Sequence, residues 1–167
     1  MDWIAALPVS EEGFDNILVC VERITKFAYF IPAKSTDTAQ ETAKRLFAAI
    51  FCVHGPPKVI ISDRDKTMTA EIFKNLMRMM NIQQLMGTSY EHRYKGAVEV
   101  LNKTIEVMLR HGVISDNMDV DFVSVLPLAQ YCYNTSKHST IKMSLYYALY
   151  GCEPRDAATW FATGVQN

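Results

Sequence analysis

The chain has almost no excess of charge: its 17 Lys and Arg stand against 18 Asp and Glu, leaving a formal net charge of -1 over 167 residues. There is therefore no global positive field to draw it onto nucleic acid or an acidic membrane surface, and any DNA binding must rest on local charge. Cysteine is scarce as well. Cys20, Cys52, Cys132 and Cys152 form no Cys-x-x-Cys pair and no Cys/His spacing suited to zinc; they read as small buried hydrophobes in a reducing compartment. No apolar run approaches the roughly 20 residues a membrane helix needs, because Lys26, Lys34 and Arg45 interrupt the candidates. The N-terminus shows no basic segment leading into an apolar one, as secretion requires. Repeats, low-complexity tracts and a dividing linker are also missing, so a single soluble intracellular domain over residues 1–167 is expected.

What is present is an ordered series of apolar segments. Ile17-Leu18-Val19-Cys20-Val21 and Phe27-Ala28-Tyr29-Phe30-Ile31 are separated by polar residues, and with Trp3-Ile4 upstream they predict a three-stranded antiparallel meander. Thr38 and Glu41 form a capping-box pattern before a helix with Ala43, Leu46, Phe47, Ile50 and Phe51 on one face. Gly55-Pro56-Pro57 ends that helix. Val59-Ile60-Ile61 lacks alternation, as a parallel strand covered on both faces would. A helix over about 70–81, with Ile72, Phe73, Leu76, Met79 and Met80 inward, leads to a last strand at Gln84-Leu85-Met86. Beyond Gly96 the spacing of Leu101, Ile105 and Met108 predicts a helix, followed by others near 121–134 and 144–150. The fold class is α/β, a mixed sheet of five strands flanked by helices.

Three carboxylates sit at telling places: Asp2 in the first strand, Asp63 after the central strand and Glu99 in the first turn of a helix. Open α/β sheets gather ligands at strand carboxyl ends, which singles out Asp63. Hard divalent cations take oxygen ligands, and two such ions can drive an in-line phosphoryl displacement without a side-chain nucleophile. Among eighteen acids, however, most triples are solvated surface charges.

The words around these residues are more specific. Met1-Asp2-Trp3-Ile4 through Leu7-Pro8, Ile17-Leu18-Val19 through Phe30-Ile31-Pro32, His54-Gly55-Pro56-Pro57 leading into Ile61-Ser62-Asp63-Arg64-Asp65, and Leu126-Pro127-Leu128-Ala129 through Tyr150-Gly151-Cys152-Glu153-Pro154-Arg155 together resemble the integrase catalytic core of gypsy-class LTR retrotransposons. The resemblance runs in order from residue 1 to about 155. That family carries an Asp, Asp, Glu triad with 35 residues between the last two, and 35 residues separate Asp63 from Glu99 here. The resemblance implies an RNase H-like fold, with Asp2, Asp63 and Glu99 as catalytic metal ligands and Mg2+ or Mn2+ as cofactor. It also implies a nuclear polynucleotidyl transferase that trims DNA 3′ ends and joins them to target DNA, pairing into a homodimer or higher oligomer. The zinc-binding N-terminal and DNA-binding C-terminal domains of a complete integrase are not expected within these residues. Before the catalytic Glu the family usually has His-Pro-Gln-Thr-Asp-Gly-Gln-Thr-Glu-Arg; this chain has Glu91-His92-Arg93-Tyr94-Lys95-Gly96-Ala97-Val98-Glu99-Val100, which keeps only Gly96 and Glu99. The family's Asp at the end of the second strand is Glu22.

Candidate DNA contacts follow. Lys103, four residues after Glu99, reads either as a phosphate contact or as a surface ion pair with it. Arg64, Lys66, Arg93, Tyr94 and Lys95 could track a phosphate backbone and stack on a displaced base, or be a solvated loop. His92, next to Glu91, reads as a loop histidine ahead of a fourth metal ligand or a base, and His54 as a cation at a helix C-terminus. Met77, Met79, Met80 and Met86 read as core filling; Tyr131, Tyr133, Tyr146, Tyr147 and Tyr150 read as core and dimer-surface aromatics. Two other readings compete: a domesticated core that serves as a dimerising scaffold without catalysis, motivated by the rewritten 91–98 segment, and a ribonuclease H, whose four-carboxylate set is not evident.

Overall fold

Ile17, Leu18 and Val19 are fully buried and Cys20 nearly so, although successive strand residues point to opposite faces. A strand can bury both faces only inside a three-layer arrangement. In the computed structural model, which describes residues 1–86, 101–109 and 121–155, this strand, β2 (Asn16–Val21), lies between β1 (Asp2–Ile4) and β3 (Ala28–Ala33) in an antiparallel sheet. Leu18 and Cys20 pack with Ile31 against Ala43 and Leu46 of helix α1 (Ala39–Leu46) and against Phe73 and Met77 of a later helix. Ile17 and Val19 face the other way, onto Leu101, Ile105 and Leu109 of the helical stretch 101–109 and onto Leu126 and Ala129. Each fully buried aliphatic or aromatic side chain stabilises by about 1.5–3 kcal/mol, so the two facing cores fix the register of the meander.

The capping box is present: the Thr38 hydroxyl accepts from the Glu41 N–H, and the Glu41 carboxylate accepts from the Thr38 N–H. After α1 the helix widens into a π turn over Phe47–Phe51 and ends in one α turn, α2 (Cys52–His54), before Gly55 at φ 78°. The π turn changes which residues face inward. Leu46 and Phe51, five apart, are both buried, whereas Phe47 is 53% exposed; a π turn stacks i on i+5, and it rolls the expected Phe47 out to solvent.

Strands β4 (Val59–Ser62) and β5 (Gln83–Met86) pair in parallel, joined by α3 (Lys66–Thr69) and α4 (Glu71–Met79). On α4 the buried residues are Phe73 and Met77, four apart, with Leu76 and Met80 half-buried. Ile72 and Met79, expected inward, belong to the neighbouring stripe and are 50% and 83% exposed. β4 is not covered on both faces either. Ile60 is buried against α1 and α4, but Val59 and Leu85 are exposed.

The five strands expected are all found, in two hydrogen-bonded sheets instead of one. β1 has only three residues; just before it, the Met1 amine donates to the Ile61 carbonyl of β4 at 2.7 Å. That bond brings the start of β1 beside β4.

We label the stretch 101–109 α5; α6 (Phe122–Thr135) and α7 (Leu145–Tyr150) complete the fold. The expected helices near 121–134 and 144–150 are thus present. Of the cysteines, only Cys20 is buried, and burial pushes its thiol up to about 12. Cys52, Cys132 and Cys152 are exposed free thiols rather than core residues; Cys52 and Cys132 lie on the outward sides of α2 and α6. The aromatics Phe27, Tyr29, Tyr146 and Tyr150 form a chain of tilted and edge-on contacts between β3 and α7.

The outer edge of β3 carries backbone groups that would otherwise lack partners. Two α6 side chains one turn apart satisfy them. Asn134, buried, accepts from the Ala28 N–H at 2.9 Å and donates to the Ala28 carbonyl at 2.8 Å, while the Gln130 side chain accepts from the Phe30 N–H at 2.8 Å. Replacing Asn134 by Leu strands a buried donor and a buried acceptor, and we expect a loss of about 2–4 kcal/mol in urea unfolding. A loss under about 0.5 kcal/mol would show that the edge is not held this way.

Candidate functional site

Asp2 is placed by three neighbours. Its Cα lies opposite Val19 in the sheet register, on the face that packs against α5 and α6. Its Oδ1 accepts from the Trp3 N–H at 2.9 Å, and its Oδ2 accepts from the Asn102 side-chain amide of α5 at 2.8 Å. The carboxylate is thereby held in one orientation, and each oxygen keeps a lone pair. Asn102 was not among the residues singled out from sequence. The signal was available, since it lies three residues after Glu99, the spacing of neighbours on one helix face.

Asp63 follows β4 directly and is solvent-exposed. The Met1–Ile61 bond lies within one residue of Asp2 and two of Asp63, and both acids line one cleft of about 740 Å³. Glu22, at the end of β2, lines it too, with Arg23 and Lys26 of the following turn and with Tyr29, His54 and His138. His54 closes α2, where a cation was expected, and its Nε2 is hydrogen-bonded to the Tyr29 hydroxyl. Burial, reinforced by neighbouring Tyr150, holds the Tyr29 phenol above its ordinary range.

Of the other expected site residues, Arg64, Lys66 and Lys103 are solvent-exposed. Lys66 opens α3, whose N-cap is Asp65; Lys103 sits on α5 beside Asn102 and away from the buried Leu101–Ile105–Leu109 stripe. Glu99, Arg93, Tyr94 and Lys95, with Glu91 and His92, lie outside the described residues. Of the tyrosines, Tyr131, Tyr147 and Tyr150 are exposed and Tyr133 and Tyr146 half-buried. Met77 is core, but Met79 is solvent-exposed.

Glu22 works differently from the two aspartates. Its carboxylate accepts from the Ile24 N–H at 2.9 and 3.0 Å, from the Thr25 N–H at 2.6 Å and from the Thr25 hydroxyl at 2.7 Å. Partial burial raises its pKa, but these donors outweigh burial and hold the carboxyl below the ordinary glutamate range. Glu22 is therefore the keystone of the β2–β3 turn, with its oxygens already occupied.

The donor chemistry fits a hard divalent cation. Asp2 and Asp63 supply carboxylate oxygens from separate elements, as Mg2+ and Mn2+ prefer, and Asn102 orients one of them as an outer-shell partner does. The Asn102 Oδ1, buried without a hydrogen-bond partner, points to a polar group still to be supplied in the site. Among the described residues no three His, Cys, Asp or Glu side chains form a metal-holding group.

No family model matches the chain. It is 29% identical over 154 residues to the Tf2-3 and Tf2-4 transposon polyproteins of Schizosaccharomyces pombe, a match covering 92% of this chain and 11% of each relative. The chain thus spans about a tenth of the length of these relatives. In structure it is similar to a chain of the simian T-cell lymphotropic virus intasome in complex with PP2A regulatory subunit B56 gamma, with TM-score 0.73, 16% identity, and coverage of 93% of this chain and 57% of that one. It is also similar to the HTLV-2 integrase catalytic core domain in complex with magnesium in its trimeric form, with TM-score 0.66, 14% identity, and coverage of 87% and 93%.

The lowered Glu22 carboxyl carries a pH signature. A carboxylate whose folded-state pKa lies below its unfolded value stabilises the fold above the ordinary glutamate value of 4.5; that contribution is lost as pH falls through the lower folded value. We expect Glu22→Gln to lower the melting temperature at pH 7 and to flatten the acid limb of the stability profile below about pH 4.5. An unchanged acid limb would remove Glu22 from the turn's electrostatics.

Proposed function

The chain is homologous to the Tf2 transposon polyproteins, and its fold is the RNase H-like fold of integrase catalytic cores; from this premise, together with the cleft, we propose that it is the catalytic core of an LTR-retrotransposon integrase. The activity is divalent-metal-dependent polynucleotidyl transfer: DNA 3′ ends are trimmed by water, and the new 3′ hydroxyl is joined to target DNA. The observation that carries this reading is the convergence of Asp2 and Asp63 on one cleft, with Asp2 held by Asn102 of α5.

Asp2, Asp63 and Glu99 are the residues that would hold Mg2+ or Mn2+. Glu99 is three residues from Asn102, so covalent geometry alone keeps its Cα within roughly 11 Å of the residue that touches Asp2. Held there, the metal would supply Lewis acidity toward the attacking oxygen and the charge on the phosphate. The chain's own residues present fixed carboxylate oxygens. Trp3 N–H and Asn102 orient Asp2, and β4 delivers Asp63 at its end. Exposed Arg64, Lys66 and Lys103, with Arg93, Tyr94 and Lys95, form the proposed DNA contacts. Work on DNA ends and target places the protein in the nucleus, as a homodimer or higher oligomer. A non-catalytic scaffold leaves the gathering of Asp2 and Asp63 on one cleft without a use.

The test is cleavage of a linear DNA duplex end in Mg2+ or Mn2+. Wild type cleaves. Asp63→Asn falls to background, and Asn102→Ala retains the fold but loses about 10–100-fold, as loss of an outer-shell partner does. Cleavage by Asp63→Asn at the wild-type rate sinks the enzyme reading and leaves the scaffold.

A further inference from the structure

The β4–β5 ladder ends at the Ser62–Met86 pair, so it does not extend to Asp63 and Arg64, both of which are solvent-exposed. Downstream, the chain is fixed again at Asp65, where it enters α3. The Asp65 Oδ1 accepts from the Thr67 N–H at 2.8 Å and also from the Thr67 hydroxyl. Its carbonyl accepts from the Thr69 N–H at 2.9 Å and from the Thr69 hydroxyl at 2.9 Å. We propose that Asp65 is a positioning residue for Asp63: it ligates no metal, and by capping α3 it clamps the two-residue span that presents the Asp63 carboxylate to the cleft. The inference rests on the function proposed above.

Three observations support it. First, the span is anchored at both ends, and the cap stands between the anchors. Upstream, Ile60 is buried and Ser62 pairs with Met86. Downstream, Met68 is buried in the α1–α4 core, and its carbonyl accepts from the Gln84 side-chain amide of β5 at 2.7 Å. Second, α3 has only four residues, far short of the roughly 12–15 at which an isolated helix becomes even marginally stable. Its first turn therefore depends on packing and on the cap, without which the Thr67 N–H loses its partner. Third, the two acids of the Asp63-Arg64-Asp65 run face different tasks. Asp63 lines the cleft and Asp65 does not; the Asp65 Oδ1 is already taken by two donors of Thr67. Capping needs a short side-chain acceptor and not a charge, so Asn serves it as well as Asp, whereas a hard divalent cation calls for the carboxylate.

That difference supplies the experiment. Asp65→Asn, Asp65→Ala and Asp63→Asn are compared with the wild-type chain by Mn2+ affinity, by amide hydrogen exchange of the metal-free protein and by cleavage of a linear DNA duplex end. Asp65→Asn should keep the Thr67 and Thr69 amides protected and bind Mn2+ close to the wild-type affinity. Asp65→Ala should exchange those amides faster and, in the folded chain, lose Mn2+ affinity and cleavage by about tenfold, as loss of an outer-shell partner does. Rescue by Asn separates a cap from a ligand. Should Asp65→Ala fail to fold, Thr67→Val, which removes the hydroxyl donor alone, takes its place and should weaken Mn2+ binding in the same direction. Loss of Mn2+ by Asp65→Asn as complete as that by Asp63→Asn makes Asp65 a ligand and overturns the proposal. Wild-type Mn2+ affinity in the folded variant that lacks the cap overturns it as well. In both cases loss of cleavage in Asp63→Asn leaves the integrase reading standing; if the wild type takes up no Mn2+, both fall.

Discussion

The site depends on β1, with the residue just before it, being held on both sides. On one side it continues the antiparallel meander, with Asp2 opposite Val19; on the other, the Met1 nitrogen reaches the Ile61 carbonyl at 2.7 Å. Residues separated by sixty positions in the chain are thereby made neighbours, and the acids beside that bond, Asp2 and Asp63, come to one cleft. Neither acid needs to be buried for this, because the apolar residues two and three positions away do the anchoring: Ile4 is in the α5–α6 core and Ile60 in the α1–α4 core.

Polar side chains then finish what the hydrophobic layers begin. Asn134 and Gln130 close the edge of β3, Glu22 locks the β2–β3 turn, and Asn102 fixes the Asp2 carboxylate. Each reaches across the chain or across a turn to a specific backbone or carboxylate atom, which apolar packing cannot specify. Hydrophobic burial selects the layers, and these bonds select positions within them.

Much of this was legible in the sequence. The meander, the Thr38–Glu41 capping box, the parallel β4–β5 pair and the helices of the C-terminal part follow from alternation, cap chemistry and periodicity. The Asp63 position followed from its place after a central strand. What escaped had physical reasons. The π turn after Leu46 shifts the inward face by one residue, and nothing in Phe47-Ala48-Ala49-Ile50-Phe51 announces it. On α4, Ile72 and Phe73 are adjacent and equally apolar, so periodicity alone did not decide which stripe turns inward; packing against α1 did. The exposed Cys52, Cys132 and Cys152 show that the burial tendency of a residue type does not fix a particular side chain. The Asn102 bond to Asp2 spans one hundred positions, so its spacing from Glu99 alone did not name that partner, and the Glu22 contacts with Ile24 and Thr25 lie in a turn that read only as a polar separator.

The central claim is that Asp2 and Asp63 share a cation. The most direct measurement is anomalous diffraction from crystals of the chain grown or soaked in Mn2+. A peak within coordination distance of both carboxylates, lost in Asp63→Asn crystals, is the result the account predicts. Well-ordered carboxylates with no Mn2+ between them, or an ion bound elsewhere while the two acids face apart, would contradict it.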